Sequence, residues 1–295
     1  MNTPDVLLYA SFSETPSGGS PAGVVLEASG LSAEFMQAVA SEVGAPATCF
    51  ITAVDSSAVS VRFFSTITEY QMCGHGTIAV VTALIDAGRL SPSEEGLMLS
   101  LCTPTGPAEV LVRFRQDGRP EVMLTLDPTE FKSTAVDSNE LCGALGITTD
   151  DLGSTPIEQS PSDFMHLIVP ILDLAGMRRM DPDFGQLEAL CRRHGIETVA
   201  PFTTETVDPT YLVHCRDFCP TVGTTEAAAT GTTNRAISCY LARHGLAGLY
   251  TDGAHTVLAE QGHEMARPST VRTDLVINDG ALVSLQVGGL ATRIG

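Results

Sequence analysis

Met72-Cys73-Gly74-His75-Gly76-Thr77-Ile78-Ala79 and, in the second half of the chain, Thr225-Glu226-Ala227-Ala228-Ala229-Thr230-Gly231-Thr232 are two versions of one local design. Each sets a Gly-Thr pair ahead of a stretch with helical periodicity. The first such stretch spans residues 78–87 and is closed by Gly88; the second spans 232–244 and is closed by Gly245. Glycine is the usual residue just past a helix end. Strand and loop material precedes both. The pattern predicts an internal pseudo-repeat: two similar α/β units, each presenting the amide-rich start of a helix. A ligand is then expected in the cleft between the units, a favoured place for binding sites.

A helix start leaves about four backbone N–H groups without partners, and the macrodipole adds about half a positive charge there. Glycine lets the backbone come close to a ligand. Two such ends could clamp a carboxylate and hold negative charge as it develops beside it. This suits proton removal from a carbon next to a carboxylate. Cys73 stands at the mouth of the first helix, where a thiol is expected to have a lowered pKa and to act as base or nucleophile. The plainer reading, a small buried residue filling a tight turn, stays open. His75, flanked by two glycines, has no evident packing role and is taken as the second catalytic candidate. Gly74, Gly76, Thr77, Glu226, Thr230, Gly231 and Thr232 are the expected substrate-binding residues.

Outward from these two blocks the chain reads as alternating strands and helices. Residues 6–12 and 22–26 suggest strands around a Gly/Pro/Ser-rich loop. Ser32 is a fair N-cap for a helix in which Met36, Val39, Ala40 and Val43 recur at helical spacing, and Gly44-Ala45-Pro46 ends it. Residues 48–52 and 60–64 read as a hairpin; 97–101, 108–114 and 121–126 add three strands. Asp127-Pro128-Thr129 is a plausible boundary. Residues 1–127 form the expected N-terminal domain, completed by a returning C-terminal strand within 282–295, and residues 128–281 the C-terminal domain. In the latter, 164–170 and 210–216 read as strands and 182–194 as a helix.

Composition removes several function classes. With 16 Lys+Arg against 35 Asp+Glu, the formal net charge is −19, which repels phosphate backbones and anionic lipid. Neither a nucleic-acid nor a membrane partner is expected. Lys132 is the sole lysine, so a phosphate-loop lysine is absent and a pyridoxal-phosphate Schiff base has one unpromising place to form. The eight scattered cysteines, with no basic, apolar leader, suggest reduced thiols and a cytoplasmic protein. His214-Cys215-x-x-x-Cys219 raises a metal reading, but no second Cys/His pair follows at suitable spacing. Gly74-x-Gly76-x-x-Ala79 formally matches a dinucleotide fingerprint with Glu94 downstream. Residues 65–72 are too polar for the buried strand that fingerprint requires. No metal, nucleotide, flavin or pyridoxal phosphate is expected.

With Gly19-Ser20-Pro21-Ala22-Gly23-Val24-Val25-Leu26, Arg62-Phe63-Phe64 and the two blocks above, the chain resembles the PhzF-like family of phenazine biosynthesis over nearly its whole length. That resemblance implies the α+β, diaminopimelate-epimerase-like fold. It has two pseudo-symmetric domains, each a curved sheet around a central helix, with the active site in the cleft between them. It also implies cofactor-independent isomerases that work by proton transfer, commonly as homodimers. The block around Cys73 is also similar to proline racemases and hydroxyproline epimerases, in which the matching cysteine is a catalytic base. The departures are chemical. Ala47 stands where the family's general acid/base glutamate would be, Ala227 where its aspartate would be, and Ala228 where racemases carry a second cysteine. An alanine cannot move a proton. The expected function is therefore a divergent isomerase, lyase or cyclase acting on a small, anionic carboxylate or carbonyl compound through Cys73 and His75. The alternatives are a non-catalytic small-molecule-binding protein that keeps the fold and, less supported, a nucleotide-dependent oxidoreductase.

Overall fold

A computed structural model describes residues 4–91, 93, 95–104, 106–162 and 164–295. Glu94, the acid of the dinucleotide reading, lies outside the described residues, as do the first three. The chain divides into two compact units. One holds residues up to Thr125 together with Gln286–Gly295; the other is Leu126–Leu285.

The first unit carries helices α1 (Ala33–Val43) and α2 (Gly74–Asp86). Its sheet runs in the order Ala291–Ile294, Leu7–Ser11, Ser20–Val25, Ala47–Val54, Ala58–Phe64, Leu97–Thr103, Gly106–Phe114, Pro120–Thr125, Ala281–Gly289. The outermost strands, Ala291–Ile294 and Ala281–Gly289, are separated in sequence only by Leu290. Both edges of the sheet are thus held by one chain segment, and the sheet wraps around α2. Residues 76–84 of α2 are buried without interruption, the pattern of a helix enclosed by protein on every side. By contrast α1 is amphipathic. Ser32 caps it through the Phe35 amide (3.3 Å), Gly44 ends it at φ 68°, and Met36, Val39 and Ala40 pack with Phe50 and Phe64.

The second unit carries α3 (Ser138–Leu145), α4 (Leu174–Arg179), α5 (Phe184–His194) and α6 (Gly231–His244). Its strands follow the order Lys132–Ser133, Glu158–Pro161, Met165–Pro170, Thr198–Thr203, Val213–Cys215, Gly253–Gln261, Ser269–Asn278. Helix α6 packs against three of these strands and is buried from Thr233 to Leu241. Residues of α3, α4 and α5 build a separate apolar cluster with Leu167, Val169 and Val199.

Helix α2 begins at Gly74, one turn earlier than its apolar run at Ile78 predicts. Two glycines weaken a helix by roughly 1 kcal/mol each, but here close packing requires one of them. A Cβ on Gly76 would lie 2.8 Å from Cys49 Sγ and 3.0 Å from the Phe63 ring. The strand expected over 210–216 is reduced to Val213–Cys215, because Asp208 draws the Thr210 amide and hydroxyl into a turn at 2.9 and 2.8 Å. Among the described residues, no helix is long and apolar enough to cross a membrane.

Candidate active site

The turn that delivers the first candidate site starts at Glu69–Tyr70, a short strand paired with Phe63 and Phe64. Arg62 grips Glu69 with two hydrogen bonds of 2.7 and 2.8 Å and fixes its exit. Cys73 is the N-cap of α2, with extended backbone (φ −146°, ψ 106°) and no side-chain cap. Thr77 Oγ1 donates to the Cys73 carbonyl (2.9 Å), and Ser11 Oγ donates to the His75 carbonyl (2.7 Å). These bonds hold the first turn of the helix in register. Cys73 Sγ lies 3.4 Å from His75 Nδ1 and 3.8 Å from Nε2. The structure thus brings the two predicted catalytic residues together, with Gly74, Gly76 and Thr77 in the same helical turn.

The charge states differ from the sequence expectation. The helix start and the Gly76 amide favour a thiolate, but burial outweighs them and pushes the Cys73 thiol up to about 12. Burial likewise pushes His75 down to about 4. Cys73 is 7% exposed, which leaves little water to solvate a thiolate. The expected low-pKa thiol is therefore corrected: at neutral pH the pair is a neutral thiol beside a neutral imidazole.

In the second unit Thr230 is the N-cap of α6. Its backbone (φ −140°, ψ 112°) nearly repeats that of Cys73, and it too lacks a side-chain cap bond. Thr230, Gly231 and Thr232 are half-buried. Glu226 is not free. Both its oxygens accept from Arg216 at 2.9 Å, and that guanidinium also reaches the Met180 carbonyl (3.1 Å) and lies over the Phe218 ring. Of the residues that replace family acids, Ala47 is fully buried and Ala227 half-buried.

Sequence reasoning missed two polar residues here. Gln261 organises the α6 entry. Its Oε1 accepts from the Thr230 amide (3.2 Å) and from Asn234 Nδ2 (2.9 Å), while its Nε2 donates to the Ala227 carbonyl (2.8 Å). Asp217 is fully buried, and neither carboxylate oxygen has a hydrogen-bond partner. The hydroxyls of Thr230 and Thr233 and the Cys219 thiol face it without good bonding geometry. Their pull is weaker than that of burial, which raises the carboxyl to about 6. Its neighbours Cys215, Arg216, Phe218 and Cys219 are all buried as well, an environment that the sequence alone does not show. Nearby, His214 is held between Glu260 (2.7 Å) and Glu264 (3.0 Å), and these carboxylates raise its pKa against the opposing effect of burial. Among the described residues, no group of three or more His, Cys, Asp and Glu side chains is arranged to hold a metal.

Residues 9–294 match the family model described as phenazine biosynthesis-like protein. A protein of Bacillus subtilis (strain 168) described as an uncharacterized isomerase, YfhB, is 32% identical over 277 residues, covering 93% of this chain and 92% of that protein. The crystal structure of a PhzF-family phenazine biosynthesis protein from Bacillus anthracis superposes with a TM-score of 0.91 at 27% identity. The match covers 100% of this chain and 98% of that one. A hydroxyproline epimerase from Agrobacterium vitis shares the fold at a TM-score of 0.61 and 15% identity, over 98% and 90% of the two chains.

Proposed function

The chain belongs to the phenazine biosynthesis-like family, and from that premise we propose that it is a cofactor-independent isomerase that moves a proton on a small carboxylate or carbonyl compound, with His75 as the base. Its mixed α/β, epimerase-like fold and the isomerase names of its relatives support this reaction class. The observation that carries the residue assignment is the 3.4 Å approach of Cys73 Sγ to His75 Nδ1 at an uncapped helix start.

In the tautomer that donates Nδ1–H to the Cys73 sulfur, Nε2 keeps its lone pair and accepts a proton from the carbon beside the substrate carboxylate. The electron pair left on carbon spreads into that carboxylate as an enediolate-like anion. The free amides at the start of α2 lower the energy of this anion in surroundings with little water to reorganise. In an acid with a double bond next to that carbon the anion extends over three carbons, and the imidazolium returns its proton to the far one, giving the double-bond isomer. The reaction needs one base, which suits a chain with alanine at positions 47 and 227. A positioned base of this kind accelerates a reaction by roughly 10²–10⁴-fold.

The test is deuterium exchange. A panel of small carboxylic acids is incubated with the protein in D₂O and followed by NMR at the carbon next to the carboxylate. Exchange with at least one acid, abolished by His75→Ala, is expected. Exchange that survives His75→Ala refutes the base assignment. The alanines at 47, 227 and 228 favour a second reading, a binding protein; saturable binding of an acid with no exchange for any compound would establish it.

A further inference from the structure

The buried carboxyl of Asp217 has no part in the proton transfer above, yet it faces the side chains of Thr230 and Thr233, the N-cap and third residue of α6. Both of its oxygens lack hydrogen-bond partners and its side chain is wholly enclosed. A carboxylate near a helix start ordinarily takes up the free amides there. This one feels the field of the helix without making the bonds, so the amides of Gly231 and Thr232 remain available to a ligand. Position 227, across a backbone hydrogen bond of 2.9 Å from Ala227 N to the Asp217 carbonyl, carries no charge of its own.

We infer that Asp217 is a positioning residue that makes anion capture at the α6 N-terminus depend on its own protonation. As a carboxylic acid it donates its proton to a neighbouring threonine hydroxyl and leaves the helix potential free for an incoming anion. As a carboxylate it cancels part of that potential and repels the anion across a short, poorly screened distance. Linkage makes the effect reciprocal: a bound anion must raise the pH at which Asp217 loses its proton. The other ionisable groups acting on Asp217 are few. Glu226 repels it but is neutralised by Arg216, and the Cys215 and Cys219 thiols are held protonated by burial. The inference rests on the reading that the substrate is anionic and meets the α6 amides.

The probe is sulfate, whose charge is constant between about pH 5 and about pH 8, where an acid shifted like Asp217 titrates. Its binding is followed through the backbone amide resonances of Gly231 and Thr232. In the native protein the affinity should fall about ten-fold from the lower pH to the higher. In Asp217→Asn it should stay nearly constant, close to the native value at low pH. The native protein gives an independent measurement: the carboxyl carbon of Asp217, observed by NMR, should titrate at higher pH with sulfate present than without. An unchanged ten-fold fall in Asp217→Asn, or a midpoint that ignores sulfate, overturns the inference alone. Sulfate that leaves both amides unmoved at either pH overturns the anion-binding reading of α6 and the inference with it.

Discussion

Replacing Asp217 by asparagine should stabilise the protein, and more so as pH rises. The native carboxyl is raised from its ordinary 3.8 to about 6 by burial. A group whose folded pKa lies above its unfolded value favours folding in its protonated form. The Asp217 contribution to stability is therefore lost as pH rises from about 4 to about 6 and stays lost above it. Two pKa units at 1.36 kcal/mol each give a penalty of about 3 kcal/mol at pH 8 and about 1.5 at pH 5. Asparagine keeps the shape and carries no charge at either pH. Its amide nitrogen needs acceptors in the same pocket, which removes about 1 kcal/mol of the gain equally at both pH values. The pH-dependent part, about 1.5 kcal/mol, is free of that offset. Urea unfolding of both proteins at the two pH values measures it. A stability difference that is the same at pH 5 and pH 8, or that favours the native protein more at pH 8, would mean that the carboxylate has a partner and would refute the burial account.

Three further outcomes are expected. At saturating substrate, kcat for any exchanging acid should stay flat from about pH 5 to pH 8, since burial pushes the His75 imidazole down to about 4 and the base form exists throughout; a loss of kcat as pH falls through about 6.5 would show an imidazole of ordinary pKa. Cys73, 7% exposed with its thiol pushed up to about 12, should resist iodoacetamide at pH 7, whereas the exposed Cys102 reacts first, as peptide mass spectrometry can read. Gly76→Ala should cost about 1–3 kcal/mol in urea unfolding, because its Cβ meets Cys49 and Phe63 at 2.8 and 3.0 Å inside an enclosed helix; a neutral substitution would mean the packing is looser than these distances imply.

Much of the scaffold was legible because its signals are local. Ser32 and Gly44 bracket α1 as the sequence suggests, Gly245 ends α6, and the Gly-Thr pairs mark two helix starts with nearly the same N-cap backbone. Helix α3 has equally local signals in Asp137 and Gly146, but its short Ser138–Leu145 run carries too few apolar repeats to stand out. What local pattern could not give was environment. The thiol at the start of α2 looked activated because the helix dipole is visible in sequence, whereas the burial that outweighs it is not. Glu226 looked available because its partner Arg216 lies across a bend, ten residues away. Asp217 was overlooked because nothing in its neighbours along the chain announces that no donor reaches it.

The sheet around α2 also fixes an order of events. Its strand Leu7–Ser11 pairs with Ala291–Ile294, and Pro120–Thr125 with residues 286–289. The segment that holds both edges is synthesised only after all of Leu126–Leu285. While the ribosome makes the second unit, the first has two open sheet edges and an apolar helix that lacks part of its cover. Open edges of this kind invite pairing with other chains. The part carrying Cys73 and His75 is therefore completed last, after the whole of the second unit has been made.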